Sequence, residues 1–113
     1  MNNKEKAFCN SSDLPVEDLG GGVSRQILVH DDEIMMVKVM FEKGAIGYEH
    51  NHHHRQVSYV ASGEFEVTIN KVKSVLKKGD AFYAAPDLNH GVLCLEAGTL
   101  IDVFNPTRQD FLK

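Results

Sequence analysis

Cysteine is scarce in this chain: Cys9 and Cys94 are the only two, and they lie far apart. That excludes the disulfide framework on which small secreted domains rely. Long apolar runs are also missing, so no stretch reads as a membrane span. The polar start "MNNKEKAF" lacks the apolar core of a signal peptide. A net charge of -4 disfavours nucleic acid as a partner, since phosphate binding needs clustered Lys and Arg. No helical period of useful length appears outside a short reading in the tail "TRQDFLK". A cytoplasmic protein with neither a nucleic-acid nor a membrane partner is the expectation.

What is present suits one small domain, since 113 residues can bury a single core but not two. Residues 1–22 read as an N-terminal tail or arm ending in the glycine run 20–22, and 23–113 as the folded domain. From Val23 onward short β-rich runs alternate with turn residues. "VSRQILVH" (23–30) and "EIMMVKVMFE" (33–42) flank Asp31 and Asp32, while "QVSYVAS" (56–62) and "EFEVTIN" (64–70) flank Gly63. In the last of these Phe65, Val67 and Ile69 alternate with polar neighbours, which predicts one buried and one wet face. Runs at 73–76, 81–85, 91–96 and 99–104 follow. So many short strands indicate an all-β barrel or sandwich, and pattern alone does not choose between them.

Four of the six histidines fall within "HNHHH", residues 50–54. On a strand, positions i and i+2 face the same way, so His50 and His52 project together, with His54 and Gln56 of the same parity. Transition metals require convergent neutral imidazoles, and another ligand must come from elsewhere in the chain, where only His30 and His90 remain.

The spacing Gly44, His50, His52, Gln56, Gly63 resembles the first cupin motif, G-x5-H-x-H-x3-E-x6-G, with Gln56 standing where most cupins have Glu. Gly79 and His90 keep the separation of the second motif, although Pro86 is displaced by one residue and Leu88 replaces its second glycine. The resemblance implies a double-stranded β-helix closed into a jelly-roll barrel, a homodimer, and His50, His52, Gln56 and His90 as ligands of one divalent metal. Zinc, nickel, cobalt, manganese and ferrous iron all suit such a set. Because glutamine carries no charge, the ion would keep its full positive charge and be a stronger Lewis acid toward an anionic substrate.

The ending "IDVFNPTRQDFL" (101–112) is similar to "LDVFSPPREDFL" of the KdgF-type pectin-degradation cupins. Likewise "HNHHHRQVSYVASGEFEVTI" is similar to that group's "HSHPHEQIGYVLSGELEFTI", except that Arg55 replaces an acidic residue. The resemblance implies an enzyme that opens the ring of 4,5-unsaturated monouronates, with Asp102, Phe104 and Arg108 as its active-site residues. Two other readings stay open: a different metal-dependent cupin enzyme such as a dioxygenase, and a non-catalytic carbohydrate-binding cupin.

The remaining candidates divide between site and scaffold. His54 reads equally as a pocket residue and as surface. Tyr59 and Tyr83 suit either the substrate pocket or core packing, with core favoured. His53 reads as outward, His30 as part of a turn, and Cys94 in "GVLCL" as core. Met35, Met36 and Met40 read as packing inside the domain or at a dimer interface.

Overall fold

Alternation of apolar and polar residues produces strands along nearly the whole chain. A computed structural model describes residues 7–113, so residues 1–6 of the expected N-terminal arm lie outside the described residues. The strands are β1 (Glu17–Gly20), β2 (Val23–His30), β3 (Met35–Phe41), β4 (Ile46–His50), β5 (Arg55–Ile69), β6 (Val72–Lys77), β7 (Ala81–Ala84) and β8 (His90–Asn105). A 3-10 turn at Gln109–Leu112 ends the chain where a short helical reading was available. No helix among the described residues is long and apolar enough to cross a membrane.

The two longest strands, β5 and β8, organise the fold. They pair antiparallel from Arg55↔Asn105 to Ile69↔His90, with register shifts between Val60 and Phe65. At these shifts both strands bend, and each takes part in two layers. One layer runs β1-β2-β3 to the second half of β8, then the first half of β5 and β7. The other runs from β4 through the first half of β8 and the second half of β5 to β6. Glycine permits the bend. Gly63 has φ +82°, and a Cβ there would lie 2.6 Å from both the Glu96 carbonyl oxygen and Gly98 Cα. Sequence reading makes Gly63 and "EAG" turns between separate strands; the structure makes them kinks within continuous ones.

The closed barrel implied by the resemblance does not form. The hydrogen-bonded path runs β1-β2-β3-β8-β5-β6, with β4 added on β8 and β7 on β5, and no strand joins its ends. The physical reason lies between β4 and the β1–β2 hairpin. These elements face each other across a cavity of about 560 Å³ rather than across a ladder, whereas paired strands sit only about 5 Å apart. The fold is an open, all-β double-layered sheet.

Two apolar clusters fill the space between the layers. Phe41, Val60, Phe65, Val67, Cys94 and Leu100 belong to the larger, where Phe41 and Phe65 meet edge-on at 5.2 Å. Met35, Val37 and Phe104 form the smaller, next to the site described below. Phe65 is fully buried, and burying such a side chain stabilises by roughly 1.5–3 kcal/mol. Met36, by contrast, points outward from β3 and is exposed.

Candidate metal centre and its cavity

Three histidines meet where β4, the following loop and the start of β8 come together. His50 ends β4 and His90 begins β8, and the two are register partners. His52 lies beyond the strand, in the loop before β5, so its convergence comes from loop shape rather than strand parity. That loop is tied to the one preceding β8 by Asn51 Nδ2 donating to Asn89 Oδ1 at 2.8 Å and by Asp87 N–H donating to His52 O at 2.8 Å. Ring centroids are separated by 4.5 Å for His50–His90, 4.9 Å for His52–His90 and 5.4 Å for His50–His52. One nitrogen of each lies within 4.8 Å of the others.

Hydrogen bonds set the tautomer of all three rings. Nδ1 of His50 is 2.9 Å from Tyr48 O, Nδ1 of His52 is 2.9 Å from His54 O, and Nδ1 of His90 is 3.1 Å from Leu88 O. A carbonyl only accepts, so each Nδ1 carries the hydrogen and each Nε2 is left with a lone pair. Burial is the main cause that holds the His52 and His90 rings below the ordinary histidine pKa, His90 to about 4, so both are neutral at neutral pH.

Gln56 projects from β5 toward these rings, its Oε1 3.1 Å from Nε2 of both His52 and His90. Its Nε2 donates instead to Ser58 Oγ at 3.0 Å, and the Ser58 hydroxyl donates to Asp102 Oδ1 at 2.6 Å. Two imidazole lone pairs therefore face an amide oxygen with no hydrogen between them. Such a meeting of acceptors is unfavourable until a cation occupies it. Imidazole nitrogen with neutral oxygen is a donor set that divalent transition metals accept. The residues fit a metal ion, and a histidine-based metal-binding site is present.

The site opens onto the cavity. Its wall includes His50, Gln56, Asp102, Phe104 and Arg108, together with Arg25 and Phe111. Asp102 and Ser58 are register partners across β8 and β5, both buried. Burial lifts the Asp102 carboxyl to about 6, against the Ser58 hydrogen bond and the Arg108 charge, which pull it down. Phe104 is buried with its ring 5.8 Å from that of His52. The chain leaves β8 at the cis Asn105–Pro106 bond, and Thr107 Oγ1 donates to Asp31 O, anchoring the segment that carries Arg108. Arg108 makes a paired contact with Asp110, Nε at 3.1 Å and Nη2 at 2.9 Å.

Other candidates lie elsewhere. His54 is buried behind His52, its Nδ1 without a hydrogen-bond partner among the described residues, and lines a separate hollow with His53 and Pro106. Tyr59 and Tyr83 sit half-exposed on the outer face of the sheet, opposite in parity to Gln56 and Ser58, neither in the core nor around the cavity. His53 and His30 are exposed, and Cys94 is in the core. Sequence reasoning missed Ser58, Arg25 and Phe111. Arg25 stacks on the Phe111 ring at 3.9 Å, and Arg108 stacks on the same ring at 4.3 Å. The parity of Ser58 with Gln56 is a signal that was there to be used.

An open two-layered β-fold carrying a histidine triad at one mouth defines a metal-binding domain. The cupin domain family matches residues 37–104. The chain is 51% identical over 102 residues to the pectin degradation protein KdgF of Dickeya dadantii, covering 88% of this chain and 93% of that protein. The crystal structure of an RmlC-like cupin from Shewanella frigidimarina superposes with a TM-score of 0.91 at 48% identity, covering 93% of this chain and 95% of the other. KdgF from Halomonas sp. superposes with a TM-score of 0.90 at 37% identity, covering 93% and 99%. The chain belongs to the cupin family, among its small KdgF-type members.

Proposed function

We propose that this protein opens the ring of 4,5-unsaturated monouronates, such as pectin and alginate lyases release, to give linear 4-deoxy-5-keto uronates. One observation carries the reading. His50 of the histidine triad shares one cavity wall with Gln56, Asp102 and Arg108 in a chain about half identical to a pectin degradation protein.

The substrate is a cyclic hemiacetal whose ring oxygen adjoins the C4=C5 double bond. Removal of the anomeric hydroxyl proton forms the C1 carbonyl and breaks the bond from C1 to the ring oxygen. The electron pair passes to that oxygen as an enolate, and a proton delivered to C4 leaves the ketone at C5. A divalent metal bound by His50, His52, His90 and Gln56 would supply Lewis-acid stabilisation of the developing negative charge.

Asp102 takes the hydroxyl proton and returns it to C4. Its pKa of about 6 leaves it mostly ionised yet able to hold a proton near neutrality. Arg108 keeps guanidinium donors beyond those engaged with Asp110, and binds the substrate carboxylate. Phe104 offers an apolar wall to the sugar ring. The proposal includes a homodimer through the outer sheet face, where Met36, Val103, Val57 and Tyr83 form a register row across four strands. Light scattering that returned only a monomer would remove this part.

The test follows the ultraviolet absorbance of a 4,5-unsaturated monouronate with metal-loaded and chelated protein against the spontaneous rate. Metal-dependent acceleration is expected. No acceleration with any of several divalent metals overturns the reading.

A further inference from the structure

Ring opening as described makes no use of Ser58, although this buried hydroxyl touches both halves of the site. We propose that Ser58 is a positioning residue that fixes which end of the Gln56 amide faces the histidine triad and so keeps the site open to metal. The inference rests on Gln56 serving as a ligand, as proposed above.

A hydroxyl has one hydrogen to give. The Asp102 carboxylate only accepts, so at 2.6 Å the Ser58 hydrogen belongs to that contact. What remains on Ser58 Oγ is lone-pair density, directed at the Gln56 amide 3.0 Å away. Only the amide nitrogen can meet it favourably. The carbonyl end must then point the other way, toward His52 and His90, each with Nε2 3.1 Å from Oε1.

The alternative orientation shows what the hydroxyl prevents. With the amide turned over, its NH2 would stand before Nε2 of His52 and His90, and both lone pairs would receive a hydrogen. Three acceptors in conflict would become two satisfied hydrogen bonds, and the nitrogens that a metal needs would be capped. In the absence of metal this capped state is the more comfortable one for Gln56 and the histidines. Turning the amide would, however, set Oε1 against the Ser58 lone pair, in a place where Ser58 is 2% exposed. Asp102 thus holds the Ser58 hydrogen, Ser58 holds the amide nitrogen, and the amide oxygen is left for the ion. Glutamine needs this support and glutamate does not, because a carboxylate presents an oxygen whichever way it is turned.

Cobalt(II) titration of the full chain tests this, read by the visible absorption of the bound ion in competition with a chelator. Four proteins are compared: wild type, S58A, Q56E and the double variant S58A/Q56E. S58A is expected to weaken cobalt binding about ten- to a hundredfold, the usual effect of losing a group that orients a ligand. The same change in the Q56E background should leave affinity as it is in Q56E alone. Equal losses in both backgrounds would make Ser58 a packing residue and overturn the proposal, as would unchanged affinity in S58A. Ser58→Cys, whose thiol is a weak donor and acceptor, carries the same comparison if the alanine variant does not fold. A wild-type protein that binds no cobalt fails at an earlier point, since it refutes the metal site itself.

Discussion

Asp102→Asn separates proton transfer from metal binding within one side chain. Asparagine with its Oδ1 turned to Ser58 still accepts the hydroxyl that Asp102 accepts at 2.6 Å, which keeps the Gln56 amide in place and cobalt affinity near wild type. The opposite turn of the asparagine amide would show as the cobalt loss expected of S58A. What goes is the proton acceptor. With a pKa of about 6, Asp102 is ionised roughly ten to one at pH 7, close to the balance that favours general base catalysis. A positioned base contributes about a hundred- to ten-thousandfold, which corresponds to roughly 3–5 kcal/mol of barrier. The absorbance assay should therefore show D102N slowed by that factor with its metal in place. The wild-type pH profile carries the same information. Because the base form is needed, kcat/KM should rise with pH through the Asp102 titration and then level off. The bound cation draws that limb below the metal-free value of about 6, and D102N should lack it. A metal-loaded D102N of full activity, or one retaining the limb, would refute the assignment.

The Asp102 shift and that of His90 together bear on the acid stability of the chelated protein. Asp102 has its folded pKa raised from 3.8 to about 6; the folded state binds the extra proton, so stability falls by roughly 3 kcal/mol as pH rises across that window. His90 has its folded pKa lowered from 6.5 to about 4, so stability rises by a similar amount, roughly 3 kcal/mol, as pH climbs from about 4 to 6.5. His52 and His54, also lowered by burial, add to the His90 rise, so denaturant midpoints should climb between pH 4 and 6 less steeply in wild type than in D102N; matching slopes would refute the opposition. Metal at about a hundred times its Kd should stabilise by roughly 2.7 kcal/mol and raise Tm on the order of 10 °C, and H90A should abolish the shift in a thermal melt. Gly63→Ala should cost roughly 1–3 kcal/mol by denaturant unfolding, since its Cβ would meet the Glu96 carbonyl oxygen at 2.6 Å with φ at +82°; an unchanged midpoint would show that the kink relaxes freely.

Local pattern and long-range pairing were not equally legible. The run 23–30 coincides with β2, and the alternation of Phe65 and Val67 with polar neighbours marks the face that is buried. Both signals lie within a few residues. β1 and β4 escaped notice because "EDLG" and "IGYEH" are short and mostly exposed, with no alternation to detect. Gly63 and Gly98 were read as turns because glycine at a turn and glycine at a kink look alike in sequence. The distinction is made by a partner strand some thirty residues away, through contacts that no local window contains. The histidine spacing identified a metal site, yet its stated reason was incomplete, since His52 converges from a loop. Arg25 and Phe111 stayed hidden for the same cause as the kinks, each acting through a neighbour that only the fold supplies, whereas Ser58 shared the parity of Gln56 in the sequence and lacked only its partner Asp102.

The open sheet and the site are consequences of one arrangement. A closed ladder would require β4 to hydrogen-bond with the β1–β2 hairpin and would remove the gap bounded by Leu19, Gly20 and Arg25 on one side and Ile46, Tyr48 and His50 on the other. Across that gap His50, the exposed member of the triad, faces the same cavity as Asp102 and Arg108. Gln56 and His90 sit deeper, on paired strands, Gln56 on β5 opposite Phe104 and His90 on β8 opposite Ile69, while His52 converges from the loop between β4 and β5. Pairing gives these groups rigidity while the absence of pairing gives them access. The chain accordingly leaves the seam without a ladder, where water can satisfy the backbone groups, and gives its longest register to β5 and β8, the strands that carry Gln56, Ser58 and Asp102.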